Sequence, residues 1–233
     1  TIDGSGKTTG EYAFRLVDLS SASPLVLDAS IAGTLDPGME TDLYQFTAEA
    51  GDRVYFQMES LSGGKTNGRW RLVDPYGQVL FTQSLSSDVD TLQLEQAGTY
   101  TLLLEGQISE PLPRDYAFTV HSVAYHSQDL TLDTDTLGTL SKPGEQDLYQ
   151  FTLSESTRVY FDALTNNSGL LWTLEGPTGT LVKGRRFDQS DSGNGLSLLE
   201  LPAGSYQMTI DGSGKTTGEY AFRLVDLSSA SPL

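Results

Sequence analysis

The chain has 233 residues, enough for one large domain or two small ones. Its 14 Lys+Arg against 31 Asp+Glu give a net charge of -17, which repels nucleic-acid phosphates and anionic membrane surfaces. The absence of cysteine excludes disulfides, thiolate nucleophiles and zinc–cysteine sites, and no apolar run approaches the roughly 20 residues of a membrane helix.

The first segment of the chain is a copy of the last one. Residues 1–25 recur letter for letter as residues 209–233. The chain therefore spans one full period and an overlap into the next. We expect it to be a piece of a longer tandem array whose copies are nearly identical.

A weaker repeat of about half that length divides the full period. The matching segments are 42–47 with 147–152, and 53–56 with 158–161. This pattern predicts two homologous domains, domain A over residues 25–125 and domain B over residues 126–233. We expect residues 1–24 to be the last two strands of a preceding repeat domain.

Apolar and polar residues alternate in nearly every segment of both domains. In 99–105, Tyr100, Leu102 and Leu104 share one face, and turn signals such as Asp36-Pro37-Gly38 separate the segments. Alternation of this kind is typical of strands with one buried face. The sequence thus predicts an all-β protein: two tandem antiparallel β-sandwich domains of jelly-roll or Greek-key type, plus a terminal hairpin from the preceding repeat. We expect Trp70 and Trp172 to pack between the sheets.

A fixed order of short motifs runs through each domain. In domain A these are Gly-x-Leu at 33–35, Asp-Leu-Tyr-x-Phe-Thr at 42–47, Leu-x-Asp-Pro-x-Gly at 72–77, Ala-Gly-Thr-Tyr at 97–100 and Tyr-x-Phe-x-Val at 116–120. The order resembles that of bacterial pre-peptidase C-terminal domains, and domain B departs from it at 154–157. The resemblance implies a β-sandwich accessory domain without catalytic activity, of a kind found on secreted proteases and in large secreted or surface proteins. Some members of that family bind calcium or extracellular matrix.

Acidic loops are the candidate metal sites. One loop carries Asp188, Asp191 and Asn194 beside flexible glycines, and the corresponding region of domain A carries Asp88 and Asp90. Oxygen ligands of this kind suit Ca²⁺, although neither loop has the spacing of an EF-hand. Solvated turn residues without a metal are the alternative.

Two other sequence features, a glycine-rich loop and a pair of histidines, do not indicate a nucleotide-binding or catalytic site. Residues 212–217 imitate a phosphate-binding loop, but the first glycine of that motif is missing and an alternating strand follows instead of a helix. We therefore expect a hairpin loop there and no nucleotide binding. The two histidines, His121 and His126, flank the domain boundary, where 122–128 reads as a linker, and no nucleophile elbow accompanies them.

The repeat favours a non-catalytic spacer in a long secreted or surface bacterial protein, such as an adhesin, a stalk or an extracellular filament. Identical copies add length, and an enzyme gains little from them. The alternative is a calcium-dependent module that binds a glycan or matrix protein, with the array supplying avidity. Expected partners are neighbouring copies of the repeat, through head-to-tail contacts or strand pairing, without nucleic acid or membrane insertion. Residues 1–23 would pair in the position that 209–231 fill, within the chain or in a neighbouring molecule.

Overall fold

The computed structural model describes residues 1–63, 67–190 and 198–229, and they form an all-β structure. The only helical elements in these ranges are short 3-10 turns. No helix within them has the length and apolar character needed to cross a membrane.

Domain A is a sandwich of two sheets. Its strands are β1 (Ser23–Pro24), β2 (Ile31–Leu35), β3 (Thr41–Ala48), β4 (Arg53–Leu61), β5 (Arg69–Val73), β6 (Val79–Ser84), β7 (Val89–Gln93), β8 (Gly98–Glu105) and β9 (Arg114–Ser122). One sheet has the order β1-β3-β8-β5-β6 and the other the order β2-β9-β4-β7.

Domain B repeats this arrangement. Its strands are β10 (Tyr125–Asp129), β11 (Thr136–Leu140), β12 (Gln146–Leu153), β13 (Thr157–Ala163), β14 (Leu170–Gly176), β15 (Gly179–Arg186), β16 (Leu198–Leu201), β17 (Gly204–Gly212) and β18 (Gly218–Asp226). Its sheets have the orders β10-β12-β17-β14-β15 and β11-β18-β13-β16. In both domains the eight strands after the first follow the strand order of a jelly roll, so the predicted fold class is confirmed.

The core of each domain lies between its two sheets, as the alternation predicts. Along β8, Tyr100, Leu102 and Leu104 are fully buried. Trp70 and Trp172 are also fully buried, and the Trp172 ring stacks on Phe161 at 4.1 Å between centroids. The prediction that both tryptophans pack between the sheets is confirmed.

The connections differ from the predicted ones. The prediction of a hairpin around 212–217 is wrong, because β17 and β18 lie in different sheets, with β17 between β12 and β14 and β18 between β11 and β13. The loop therefore crosses from one sheet to the other. The predicted linker 122–128 contains most of β10 (Tyr125–Asp129), which pairs in parallel with β12.

The N-terminal segment does not form the predicted hairpin within this chain. Residues 1–22 contain no strand, only a 3-10 turn at Leu19–Ser21, and the side chains of Tyr12, Phe14 and Leu16 are exposed. The reason is that residues 209–225 already fill the matching positions in domain B. Domain A begins earlier than residue 25, since Ser23–Pro24 pair with β3.

Candidate functional site: the junction between the domains

The two domains are joined by a very short connection. Strand β9 ends at Ser122 and β10 begins at Tyr125, so only Val123 and Ala124 lie between them. Val123 is buried, and its backbone N–H donates to the carbonyl of Arg53 at 2.9 Å. The connection is thus attached to domain A before it enters domain B.

A close backbone contact forms the centre of the junction. The Thr91 hydroxyl donates to the Gly144 carbonyl at 2.6 Å. A Cβ at Gly144 would lie 2.6 Å from both Thr91 Oγ1 and the Tyr55 side chain, and Gly144 has a φ of +78°. Only glycine fits there, and the turn between β11 and β12 therefore lies directly on Tyr55, which is 1% exposed.

Charged side chains extend the junction on one side. The Arg53 guanidinium donates to Gln146 Oε1 at 2.9 Å and lies 4.1 Å above the ring of Tyr125. The Lys142 ammonium donates to Asp28 Oδ1 at 2.9 Å. Each of these contacts joins one domain to the other or to the connecting strand.

The β17–β18 loop contributes a lysine on the other side. The Lys215 ammonium donates to the Met58 carbonyl at 2.6 Å and lies 3.8 Å from Asp88 Oδ1. This is the lysine of the sequence that imitates a phosphate-binding loop. In the structure it binds a carbonyl and a carboxylate of the neighbouring domain.

Asp211 is a partly buried acid at the same junction. Burial, together with the negative charge of Asp90, raises its pKa to about 6, although a hydrogen bond with Gln146 acts in the opposite direction. Its Oδ1 atom is buried, and none of the described residues forms a hydrogen bond with it. The junction therefore holds this carboxyl in an environment that favours the protonated form.

The two histidines contact acids on either side of the boundary. His121 Nε2 lies 2.9 Å from Gln57 Oε1, and its Nδ1 lies 3.4 Å from Asp28 Oδ1. His126 Nδ1 lies 3.5 Å from Asp147 Oδ1 and 3.7 Å from Glu145 Oε1. The structure thus places both histidines in contacts around the connection.

The described acids that were predicted as calcium ligands have protein partners. Asp88 accepts from the Met58 N–H at 2.8 Å and from the Tyr55 hydroxyl at 3.1 Å. Asp90 accepts from the Thr91 N–H at 2.8 Å.

In domain B, Asp188 is paired through both carboxylate oxygens with the guanidinium of Arg186, at 2.9 and 2.5 Å. Asp191 and Asn194 lie outside the described residues. In the part of the chain that the structure describes, no group of three or more His, Cys, Asp and Glu side chains could hold a metal ion. The calcium site stays a prediction.

The motifs behind the family resemblance are used in packing. In domain B the Tyr220 hydroxyl donates to Asp147 at 2.5 Å and lies 2.7 Å from the Tyr149 hydroxyl. A Cβ at Gly138, opposite Tyr220 in the ladder, would lie 2.2 Å from that hydroxyl. The network ties β12 of one sheet to β18 of the other.

Domain A has the same network. The Tyr116 hydroxyl donates to Asp42 at 2.5 Å and lies 2.6 Å from the Tyr44 hydroxyl, and Gly33 lies against the Tyr116 ring. Burial is the main cause that raises the pKa of Asp42 and of Tyr116. These residues hold the two sheets of each domain together.

An open groove of about 610 Å³ lies on domain B, against β12, β14 and β17. Its polar residues include Gln150, Thr152, Glu175 and Gln207. The groove's tyrosine, Tyr206, is buried and donates its hydroxyl to the Pro202 carbonyl at 2.6 Å. It therefore offers no exposed ring for a sugar.

The junction residues were not identified from the sequence as functional. Arg53 lies in the repeated segment 53–56, which predicts only a strand. The roles of Arg53, Thr91, Gly144 and Gln146 depend on which surfaces meet. Lys215 was noticed only for its resemblance to a nucleotide-binding sequence. The exact repeat was the one signal that pointed to contacts between units.

Comparison with known proteins shows likeness in structure only, since no protein-family model and no curated protein matches the chain. Solved structures are similar to it at low identity. The pre-peptidase C-terminal domain of a collagenase from Bacillus anthracis is 16% identical over 45% of this chain and 97% of that one, with a TM-score of 0.34.

A periplasmic inhibitor of g-type lysozyme from Aeromonas hydrophila is 16% identical over 43% of this chain and 96% of that one, with a TM-score of 0.34. The CUB1-EGF-CUB2 region of human MASP-1/3 is 9% identical over 83% and 99%, with a TM-score of 0.26. At these TM-scores the likenesses carry no argument about function. A pre-peptidase C-terminal domain is thus among the structures that this chain resembles.

Proposed function

We propose that the chain is a non-catalytic structural module, a spacer that sets length and direction in a longer tandem-repeat protein. The observation that carries the proposal is the fixed junction. Its connection is two residues long, Gly144 lies directly on Tyr55, and Lys215 reaches into the neighbouring domain. Contacts of this kind limit the angles between two domains, as a spacer requires.

The use of the motif residues also supports the proposal. The tyrosine, aspartate and glycine motifs shared by the two domains are engaged in packing between the sheets. A module whose repeated residues serve its own fold suits an array in which each unit only has to fold and hold its neighbours.

The setting we propose is outside the cell or at the bacterial surface, in an adhesin, a stalk or an extracellular filament. The exact recurrence of residues 1–25 at 209–233 supports an array. The net charge of -17 keeps such a chain soluble and discourages lateral association of its copies.

The proposal is tested by the distance between the domains. The chain has no cysteine, so Gln83→Cys and Thr180→Cys introduce a unique pair of spin labels at exposed positions of β6 and β15. We expect a single narrow distance distribution. Gly144→Ala should broaden it by forcing Tyr55 and Thr91 away. Gly179→Ala is the matched control, since Gly179 also has a positive φ but has open space around it.

A second measurement concerns length. In chains of one, two and three periods, the maximum dimension from small-angle X-ray scattering should increase with each added copy. A broad distance distribution between domains A and B, or a dimension that stops increasing, would contradict the spacer. A calcium-dependent rise in melting temperature would instead favour the calcium-dependent glycan- or matrix-binding module.

A further inference from the structure

The two ends of the chain show how one copy leads into the next. Asp18 accepts from the Ser20 N–H at 2.9 Å, and Asp226 accepts from the Ser228 N–H at 2.8 Å, each in an identical sequence that forms a 3-10 turn. After the first turn the chain enters domain A at once, with Ala22 and Leu25 buried. The same sequence follows Asp226 as residues 227–233, of which Leu227–Ser229 form the second 3-10 turn. In an array of such copies, domain B of one copy is followed directly by domain A of the next.

The position of the entering chain identifies the end of domain A that a preceding copy would meet. Strand β1 runs parallel to β3, with Ser23 opposite Tyr44, so the chain enters near the start of β3. The turn between β2 and β3 and the loop between β8 and β9 lie at this same end, and Gly38 N–H donates to the Pro111 carbonyl to join them. The other end of domain A leads into domain B through β9.

In domain B the equivalent elements form the junction already described. The turn between β11 and β12 provides Gly144, and the loop between β17 and β18 provides Lys215. The corresponding elements of domain A lie at the end that faces away from domain B. By homology they lie where a preceding domain B would sit.

This end of domain A exposes apolar side chains. Met39, Ile108 and Leu112 are 45%, 84% and 77% exposed, and they come from the turn and the loop that contact each other. Met39 occupies the position of Gly144, because the next residue, Glu40 or Glu145, accepts a backbone N–H from four residues earlier in each domain. Exposed apolar side chains gathered at one end are typical of a contact surface.

At the opposite end of domain B, one tyrosine is more exposed than its counterpart in domain A. Tyr160 is the counterpart of Tyr55 in the repeated sequence Arg-Val-Tyr-Phe. Tyr55, covered by Gly144, is 1% exposed, whereas Tyr160 is only partly buried. A methionine at the position of Gly144 is larger and flexible, so this second junction would fill its space with a side chain instead of backbone.

We propose, on the basis of the spacer function above, that the end of domain A formed by residues 36–41 and 106–113 docks domain B of a preceding copy. Met39, Ile108 and Leu112 pack there against the end of domain B that carries Tyr160. An array then has two alternating junctions, one closed by backbone contact and one by apolar side chains.

The test uses a chain lengthened to two periods, with Thr180→Cys in the first copy and Gln83→Cys in the second. We expect one narrow distance distribution across the new junction. Met39→Lys together with Leu112→Lys in the second copy should abolish it. Since both side chains are exposed, these changes should leave the melting temperature of the single-period chain unchanged.

Tyr76→Lys in the second copy is the control, because Tyr76 is 72% exposed in the turn between β5 and β6, away from the proposed surface. A broad distribution in the unsubstituted chain, or a narrow one that survives the two lysines, would overturn the docking surface. Either result leaves the distance between domains A and B, and the growth in length, to decide the spacer function separately.

Discussion

At the scale of single residues, the indole N–H groups of the two buried tryptophans differ in their hydrogen bonding. Trp172 Nε1 donates to Ser190 Oγ at 2.7 Å, and Ser190 in turn donates to the Arg186 carbonyl at 2.7 Å. Within the described ranges, the buried Trp70 Nε1 has no hydrogen-bond partner. Domain A therefore bears a cost of about 1–3 kcal/mol that domain B avoids.

Ser190→Ala should lower the free energy of unfolding of domain B by about 1–3 kcal/mol, because it leaves the indole N–H of Trp172 without an acceptor. Urea unfolding followed by tryptophan fluorescence measures this change. Ser205→Ala, at an exposed position of β17, is the control and should change stability by less than about 0.5 kcal/mol. Equal effects of the two substitutions would show that the buried hydrogen bond contributes nothing.

Asp211 predicts a pH dependence of the junction. Its pKa of about 6 lies above the roughly 3.9 of an unfolded aspartate, so the folded chain holds the proton more tightly. Stability should therefore fall as pH rises from about 4 to 6, and the loss should persist at higher pH. Asp211→Asn should raise the unfolding free energy at pH 8 by on the order of 2 kcal/mol, and change it little at pH 4.

Denaturant unfolding at the two pH values checks this expectation. Asp3→Asn is a matched control, because Asp3 has the same neighbours in sequence but is exposed. An Asp211→Asn effect that is the same at pH 4 and pH 8 would be inconsistent with the raised pKa.

At the scale of elements, the sequence of the β17–β18 loop occurs twice, and its two lysines differ in their surroundings. Lys215 binds the Met58 carbonyl across the junction, while Lys7, in the identical sequence, is exposed. Lys215→Ala should weaken the junction by about 1 kcal/mol and broaden the distance distribution between labels at 83 and 180. Lys7→Ala should leave that distribution unchanged. If both variants match the parent chain, the lysine contact does not restrain the domains.

Strands with one buried face were predictable from the sequence. The loops that cross between sheets and the exposed edge strands were not. The alternation of Tyr100, Leu102 and Leu104 identifies β8 because each apolar residue points into the core. All five residues of β10 are exposed, so no alternation marks this edge strand. The β17–β18 loop reads like a hairpin because local sequence does not reveal which sheet the next strand joins.

The contacts of the candidate site were likewise not predictable from the sequence. Sequence identified Asp88 as an acid in a loop, but its partners Tyr55 and Met58 come from β4, and Lys215 comes from the other domain. Gly144 looked like an ordinary turn glycine, and its role depends on the close approach of Tyr55. Contacts between domains depend on surfaces that are distant in the chain, which a single sequence does not reveal.

At the scale of the whole molecule, residues 1–17 compete with an identical segment for one position. Residues 209–225 are tethered to domain B, so their effective concentration at that position is on the order of millimolar. A second copy of the sequence displaces them only when the chain concentration approaches that value. This explains why Tyr12, Phe14 and Leu16 are exposed while Tyr220, Phe222 and Leu224 are buried.

Deletion of residues 1–17 should therefore leave the melting temperature unchanged, because the segment makes no ladder contact. The same deletion should abolish any association that appears as chain concentration rises toward the millimolar range, since strand exchange needs a free copy of the segment. Light scattering over a concentration series, with and without the segment, measures both states. A drop in melting temperature on deletion would mean that 1–17 stabilises the folded chain. Association that persists without the segment would mean that another surface causes the association. The exposed Met39, Ile108 and Leu112 would then be the next residues to substitute.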